Sequence, residues 1–109
     1  MKRYCLTLDL KDDPHLIAAY IAHHQNVWPE IKESIISSGI LAMEIYLIET
    51  RLCMIMEVEE SFSFEGKAQA DLSNEKVQEW ETLMGRYQAR LPFAQPNQKW
   101  VLMNKIFEL

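Results

Sequence analysis

What most limits the fold of this 109-residue chain is the order in which its hydrophobic period changes. Lys2–Leu10 alternates, with Tyr4, Leu6, Leu8 and Leu10 on one face and Cys5, Thr7 and Asp9 on the other, as a strand does. Asp12-Asp13-Pro14 then reads as a helix start. The helix is expected from about Pro14 to Ser38, kinked or divided near Val27–Trp28 by Pro29, and stopped by Ser37-Ser38-Gly39. Leu41–Ile48 and Leu52–Glu59 read as strands joined by the turn Glu49-Thr50-Arg51, an antiparallel hairpin. Phe62–Leu72 is helical, Asn74 caps a further helix to about Arg90, and Lys99–Phe107 alternates as a last strand. The order is β-α-β-β-α-β with the second α in two pieces. It predicts an α+β, ferredoxin-like βαββαβ antiparallel sheet with helices on one face, and residues 1–109 form one domain. Apolar residues on both faces of several strands call for a second cover, and another copy of the chain, a homodimer, supplies it at least cost.

Composition removes several classes of function. Sixteen acidic against eleven basic residues give a net charge of −5 without a Lys/Arg cluster, so nucleic acid and anionic membrane surfaces are not expected partners. The N-terminus alternates instead of forming an apolar run, and no segment has the roughly 20 apolar residues of a membrane span. A cytoplasmic location is expected. Cys5 and Cys53 both lie in predicted strands, and a disulfide is possible if those strands are adjacent, but they read more simply as small buried thiols in a reducing compartment.

Tyr20–Ile31, YIAHHQNVWPEI, is the stretch that points to chemistry. At about 100° per residue, Ile17, Tyr20, Ile21, His24 and Trp28 share the face turned to the sheet, while His23 and His15 turn outward. His24 is thus the inward histidine, one turn from Tyr20 and one from Trp28. The plain alternative is a satisfied core pair. An imidazole is nonetheless the side chain best suited to moving protons near neutral pH, a tyrosine hydroxyl can hold a substrate oxygen, and an indole offers a flat wall to a sugar. His23 and His24 diverge too far to share an ion, no Cys is near, and phosphate loops, nucleotide fingerprints and nucleophile elbows are absent. No metal and no cofactor is expected. Trp80, Met84 and Tyr87 recur at helical spacing and read as core, with Trp80 able to reach a pocket edge. Trp100 reads as a strand-start anchor. Glu44 and Tyr46 share a strand face that meets solvent or lines a polar pocket.

With these residues in hand, the sequence resembles the L-rhamnose mutarotase family. The resemblance rests on Tyr20-x-x-x-His24-x-Asn26-x-Trp28-Pro29-Glu30, on Ile45-Tyr46, on the hairpin Leu52–Glu57, and on Val77-x-x-Trp80, and runs nearly end to end. It implies a dimeric α/β-barrel type of α+β subunit, a homodimer built through the sheets, and cofactor-free interconversion of sugar anomers. His24 matches the family's proton donor, and Tyr20 its substrate-binding tyrosine. Trp80 matches the first of two consecutive tryptophans. Glu81 stands where the second would be, and Met43 where a pocket tyrosine would be. The site implied is catalytic His24 with Tyr20, Trp28, Tyr46, Trp80 and Glu81 about a monosaccharide.

The chemistry suits these residues. A pyranose opens when its ring oxygen gains a proton and its anomeric hydroxyl loses one; reclosure gives the other anomer, with no redox change or group transfer. Glu44 and Asp9 are candidate bases by position. The substrate expected is a 6-deoxyhexose, L-rhamnose on the strength of the His24–Trp28 core, with L-fucose the alternative. A small monooxygenase-like enzyme on the same scaffold, or a non-catalytic ligand-binding domain, are the competing functions.

Overall fold

The computed structural model describes residues 2–109. The chain runs β1 (Lys2–Leu10), α1 (Pro14–Gln25), α2 (Pro29–Ser37), β2 (Ile40–Ile48), β3 (Arg51–Val58), α3 (Phe64–Leu72), α4 (Glu75–Gly85), β4 (Gln88–Ala89) and β5 (Val101–Leu102). All strand pairs are antiparallel in the order β2-β3-β1-β4, and β5 joins β1 on the edge that β4 also occupies. This is the expected ferredoxin-like sheet, with its fourth strand reduced to two short pieces.

Local chemistry explains the element ends. The Asp13 carboxylate accepts from the backbone N–H groups of His15 and Leu16, and Pro14 opens the helix. Pro29 does more than kink the first helical stretch: it opens a second helix, with Trp28 at the N-cap position. Gly39 ends α2 at φ +97, a conformation glycine adopts at low cost. Ser63 and Asn74 cap α3 and α4. The hairpin turn is two residues long, since Ile48 already faces Arg51, and Glu49 carries the positive φ of 53.

Three elements differ from the sequence reading by two residues or more. The last helix stops at Gly85, not Arg90, because Gln88–Ala89 turns to pair with Asp9–Leu10 of β1. The helix expected from Phe62 starts at Phe64, after the Ser63 cap. The last strand, expected over Lys99–Phe107, pairs at Val101–Leu102, and the apolar residues beyond it stay exposed: Ile106, Phe107 and Leu109. Alternation alone does not make a strand; a pairing partner does.

The core lies between the sheet and the helices. Leu8, Leu10 and Leu52 pack with Tyr20, Ile31, Val77, Trp80 and Met84, and a second cluster joins Leu6, Ile40, Met56 and Val58. The opposite sheet face carries Cys5, Thr7, Asp9, Glu44, Tyr46, Cys53 and Ile55, as two-residue alternation requires. Cys5 and Cys53 do come together there, Sγ to Sγ at 3.2 Å, as free thiols. Among the described residues no helix is long and apolar enough to cross a membrane.

Candidate active site

A cavity of about 300 Å³ opens between the helix layer and the inward sheet face. Its floor is apolar, with Leu6, Met43, Ile45, Met54 and Met56 from the strands. Its polar groups come from elsewhere: Tyr20 and His24 of α1, Glu81 of α4, Gln88 of β4, and Lys67 with Asp71 of α3. Trp80 and Trp100 supply flat walls. A largely apolar hollow with a few convergent polar groups is the usual form of a small-molecule site.

His24 is fixed by its own helix. Its Nδ1 lies 2.9 Å from the carbonyl oxygen of Tyr20. A carbonyl can only accept, so Nδ1 carries the proton and Nε2 is left to exchange one with a ligand. The Tyr20 ring packs against the imidazole at 4.4 Å between centroids, and the Trp80 ring meets it edge-on at 5.6 Å. Burial pulls the His24 pKa below its ordinary value, against the opposing pull of the Tyr20 carbonyl, and nearby His23 lowers it further. Tyr20 is buried, and its phenol is pushed up by that burial; the hydrogen bond from Gln88 Nε2, at 3.4 Å, works the other way, and the charge of Glu81 adds to the rise. The hydroxyl therefore stays protonated, able to donate to a sugar oxygen. Among the described residues the buried Oε1 of Gln88 has no hydrogen-bond partner.

Two ion pairs border the cavity. Lys67 Nζ donates to both oxygens of Asp71, at 3.2 and 3.0 Å. Lys99 Nζ donates to the Glu81 main-chain oxygen at 3.2 Å and lies 3.5 Å from its Oε2.

The structure gathers His24, Tyr20, Trp80 and Glu81 around one space, and Met43 lines it too. It does not bring in the others. Trp28 sits behind Trp80, edge-on at 5.1 Å, outside the cavity lining. Tyr46 is on the opposite sheet face, 54% exposed, its hydroxyl donating to Glu44 at 3.0 Å. Asp9 lies on that face as well, paired with Arg51 at 2.5 Å, so neither Asp9 nor Glu44 reaches the cavity as a base. The alternation that turns Met43 and Ile45 inward turns Glu44 and Tyr46 outward.

The helix wheel erred twice. Ile21, placed on the inward face, is 43% exposed. His23, placed outward, is half-buried, with Nε2 3.1 Å from the Tyr87 hydroxyl and its ring edge-on to Trp80. A wheel knows one helix only, whereas Trp80 of α4 and Tyr87 just beyond it reach this side of α1. Gln88, Lys67, Asp71 and Trp100 went unrecognised as lining. The i, i+4 spacing of Lys67 and Asp71 was a visible signal of an ion pair, though not of what it borders. Among the described residues no three His, Cys, Asp or Glu side chains come together as a metal-ligand set.

Comparison with known proteins fits this geometry. The chain is 41% identical to an L-fucose mutarotase of Xanthomonas campestris pv. campestris, over 100% of this chain and 89% of the relative. It is 34% identical to a UPF0734 protein of Dictyostelium discoideum, over 99% and 90%. In structure it is similar to an L-rhamnose mutarotase of Formosa agariphila, TM-score 0.75 at 19% identity, over 100% and 99% of the two chains. It also resembles the tetracenomycin F2 cyclase of Streptomyces glaucescens, TM-score 0.62 at 17% identity, over 100% and 97%. Those two likenesses speak to the fold alone. The family model described as L-rhamnose mutarotase matches residues 3–109, and with these relatives it makes the chain a member of the L-rhamnose mutarotase family, isomerases acting on sugar anomers.

Proposed function

We propose that the protein interconverts the α and β anomers of a 6-deoxy-L-hexose, with L-fucose preferred over L-rhamnose, and that His24 exchanges the proton at the sugar ring. The observation that carries the reaction is the tie between Nδ1 of His24 and the Tyr20 carbonyl, which leaves Nε2 free beside a sugar-sized hollow. Tyr20 donates to a substrate oxygen, and Trp80 gives the apolar face of the ring a flat wall.

The sugar preference rests on three points. The 41% identical relative is an L-fucose mutarotase. Glu81 and Met43, the two departures from the rhamnose pattern, both line the cavity. L-Fucose and L-rhamnose differ in hydroxyl orientation at C2 and C4, and a site fitted to one pattern leaves polar groups unpaired with the other. L-Rhamnose is the second reading, carried by the His24–Trp28 core and the family match. Saturation-transfer NMR on both sugars, with and without protein, tests the assignment: faster exchange on L-fucose is expected. Equal acceleration would remove the preference, and no acceleration on either sugar would remove the activity.

We further propose that residues 1–109 act as one domain and assemble as a homodimer through the outward sheet face. Tyr46 and Ile48 stand exposed on the outward side of β2, and Met103, Ile106 and Phe107 are exposed beyond β5, apolar groups that a second copy would cover. The setting proposed is the cytoplasm, whose reducing conditions suit the two adjacent free thiols.

A further inference from the structure

Opening a pyranose needs two proton movements at once, and His24 accounts for one. We infer that Glu81 makes the other: its carboxylate is the proton-transfer partner of His24 across the bound sugar. This rests on the anomer-exchange reading above and deepens it.

Two carboxylates line the cavity, Asp71 and Glu81. Asp71 is already spent, since both of its oxygens accept from Lys67 Nζ. Asp9 and Glu44 lie across the sheet, one held by Arg51 and the other by the Tyr46 hydroxyl. Glu81 is different. Lys99 approaches its Oε2 at 3.5 Å, too long for a firm hydrogen bond, and makes its better bond, 3.2 Å, to the main-chain oxygen of the same residue. Lys99 thus anchors the backbone of Glu81 and leaves Oε1 uncommitted. The carboxylate is close enough for its charge to act on the Tyr20 hydroxyl, and the Tyr20 ring is stacked on His24. Glu81 also follows Trp80, whose indole forms the wall beside the imidazole. The charged and titratable groups about Glu81 are therefore Lys99 from the loop before β5 and Tyr20 with His24 from α1, with the Lys67–Asp71 pair of α3 lining the same cavity.

The reacting form holds one exchangeable proton, on Nε2 of His24, with Glu81 ionised; because burial lowers the His24 pKa, this is the lesser form near neutrality, and the step balances from it. The His24 imidazolium gives its Nε2 proton to the ring oxygen O5 while the Glu81 carboxylate takes the proton of the C1 hydroxyl. The C1–O5 bond breaks, its electron pair stays on O5, and C1–O1 becomes a carbonyl. After rotation about C1–C2, O5 attacks the other face of the carbonyl. Glu81 returns its proton to O1, His24 recovers the proton from O5, and the site is reset. No oxidant, metal or second substrate is consumed.

Chemical rescue distinguishes a proton acceptor from a packing group. Glu81→Gln keeps the shape and cannot take a proton; anomer exchange should fall by about 100-fold, with the fold unchanged by circular dichroism. Glu81→Ala should fall as far and regain much of its rate, in a saturable manner, on adding formate, after subtraction of formate's own catalysis of the free sugar. Formate should not rescue His24→Ala. Near-native exchange in Glu81→Gln would overturn the assignment, and so would a loss in Glu81→Ala that formate does not restore. The two readings fail separately: native protein that accelerates neither L-fucose nor L-rhamnose sinks the activity and this role with it, whereas an active native protein with an equally active Glu81→Gln sinks the role alone.

Discussion

At the scale of single residues, the site turns on which atoms already have partners. His24 has one nitrogen bound to the backbone and one free, so its removal takes away a proton and leaves the helix intact. His24→Ala should lower anomer exchange by about 100-fold or more, measured by saturation transfer. His15 is exposed on the first turn of α1 and should be replaceable without effect. His23 is the intermediate case, since its bond to Tyr87 braces the ring beside Trp80. Its loss removes one hydrogen bond, about 1 kcal/mol, so His23→Ala should stay within about tenfold of the native rate. Burial also makes His24 report on pH. Its folded pKa is depressed, so below the ordinary histidine value the unfolded chain binds the proton more readily than the folded one. The contribution of His24 to stability is therefore fully present above that ordinary value, about 6.5, and is lost progressively as pH falls from there through the lower folded pKa. The melting temperature of native protein should fall relative to that of His24→Gln as the pH is lowered from above neutrality into acid. His24 and Tyr20 were legible from spacing because they share one helix. Lys67, Asp71 and Gln88 were not, because they reach the cavity from elements far apart in sequence.

At the scale of elements, stop and start signals did most of the work. Asp13 and Asn74 occupy N-caps with the expected bonds to the second and third backbone N–H groups. Asn74→Ala should cost about 1 kcal/mol in urea unfolding, and because α4 carries Trp80 and Glu81, it should also weaken sugar binding. Gly39→Ala has room for its methyl, the nearest atom being Oε2 of Glu59 at 3.5 Å, but φ +97 strains any L side chain. A loss of about 1 kcal/mol or more is expected from the backbone alone. The elements that departed from expectation are those whose length is set by a neighbour. α4 ends early because Leu10 accepts a strand partner at Gln88, and the last strand is short because pairing to β1 ends near Cys5, where the Met103 N–H makes its final bond at 2.8 Å.

At the scale of the whole molecule, the sheet separates two kinds of surface. Its inward face is core and cavity. Its outward face mixes thiols and apolar groups with the pairs Arg3–Glu57, at 2.6 Å, and Arg51–Asp9. Sedimentation equilibrium at micromolar concentration should give about twice the chain mass, as expected for a small sheet with one helical layer. Ile55→Lys, which puts a charge at the middle of that face, should yield a monomer, and an unchanged dimer would mean that the copies meet elsewhere.

The sequence by itself determined the order of elements as far as α4, the antiparallel hairpin, the caps and the placing of His24 one turn from Tyr20 on the inward face. These follow from period, proline and glycine placement, and side-chain caps, all of which act within about one turn or one strand. It also carried the family, through the Tyr20–Glu30 pattern and Val77-x-x-Trp80. The tertiary structure decided which polar groups share the cavity. Register alternation sent Tyr46 and Glu44 to one face and Met43 to the other; Trp80 of α4 and Tyr87 just beyond it half-buried His23; and the pairing of Gln88 with Leu10 at the β1 edge brought Gln88 to the site. Each is a meeting of residues distant along the chain, which no local period encodes.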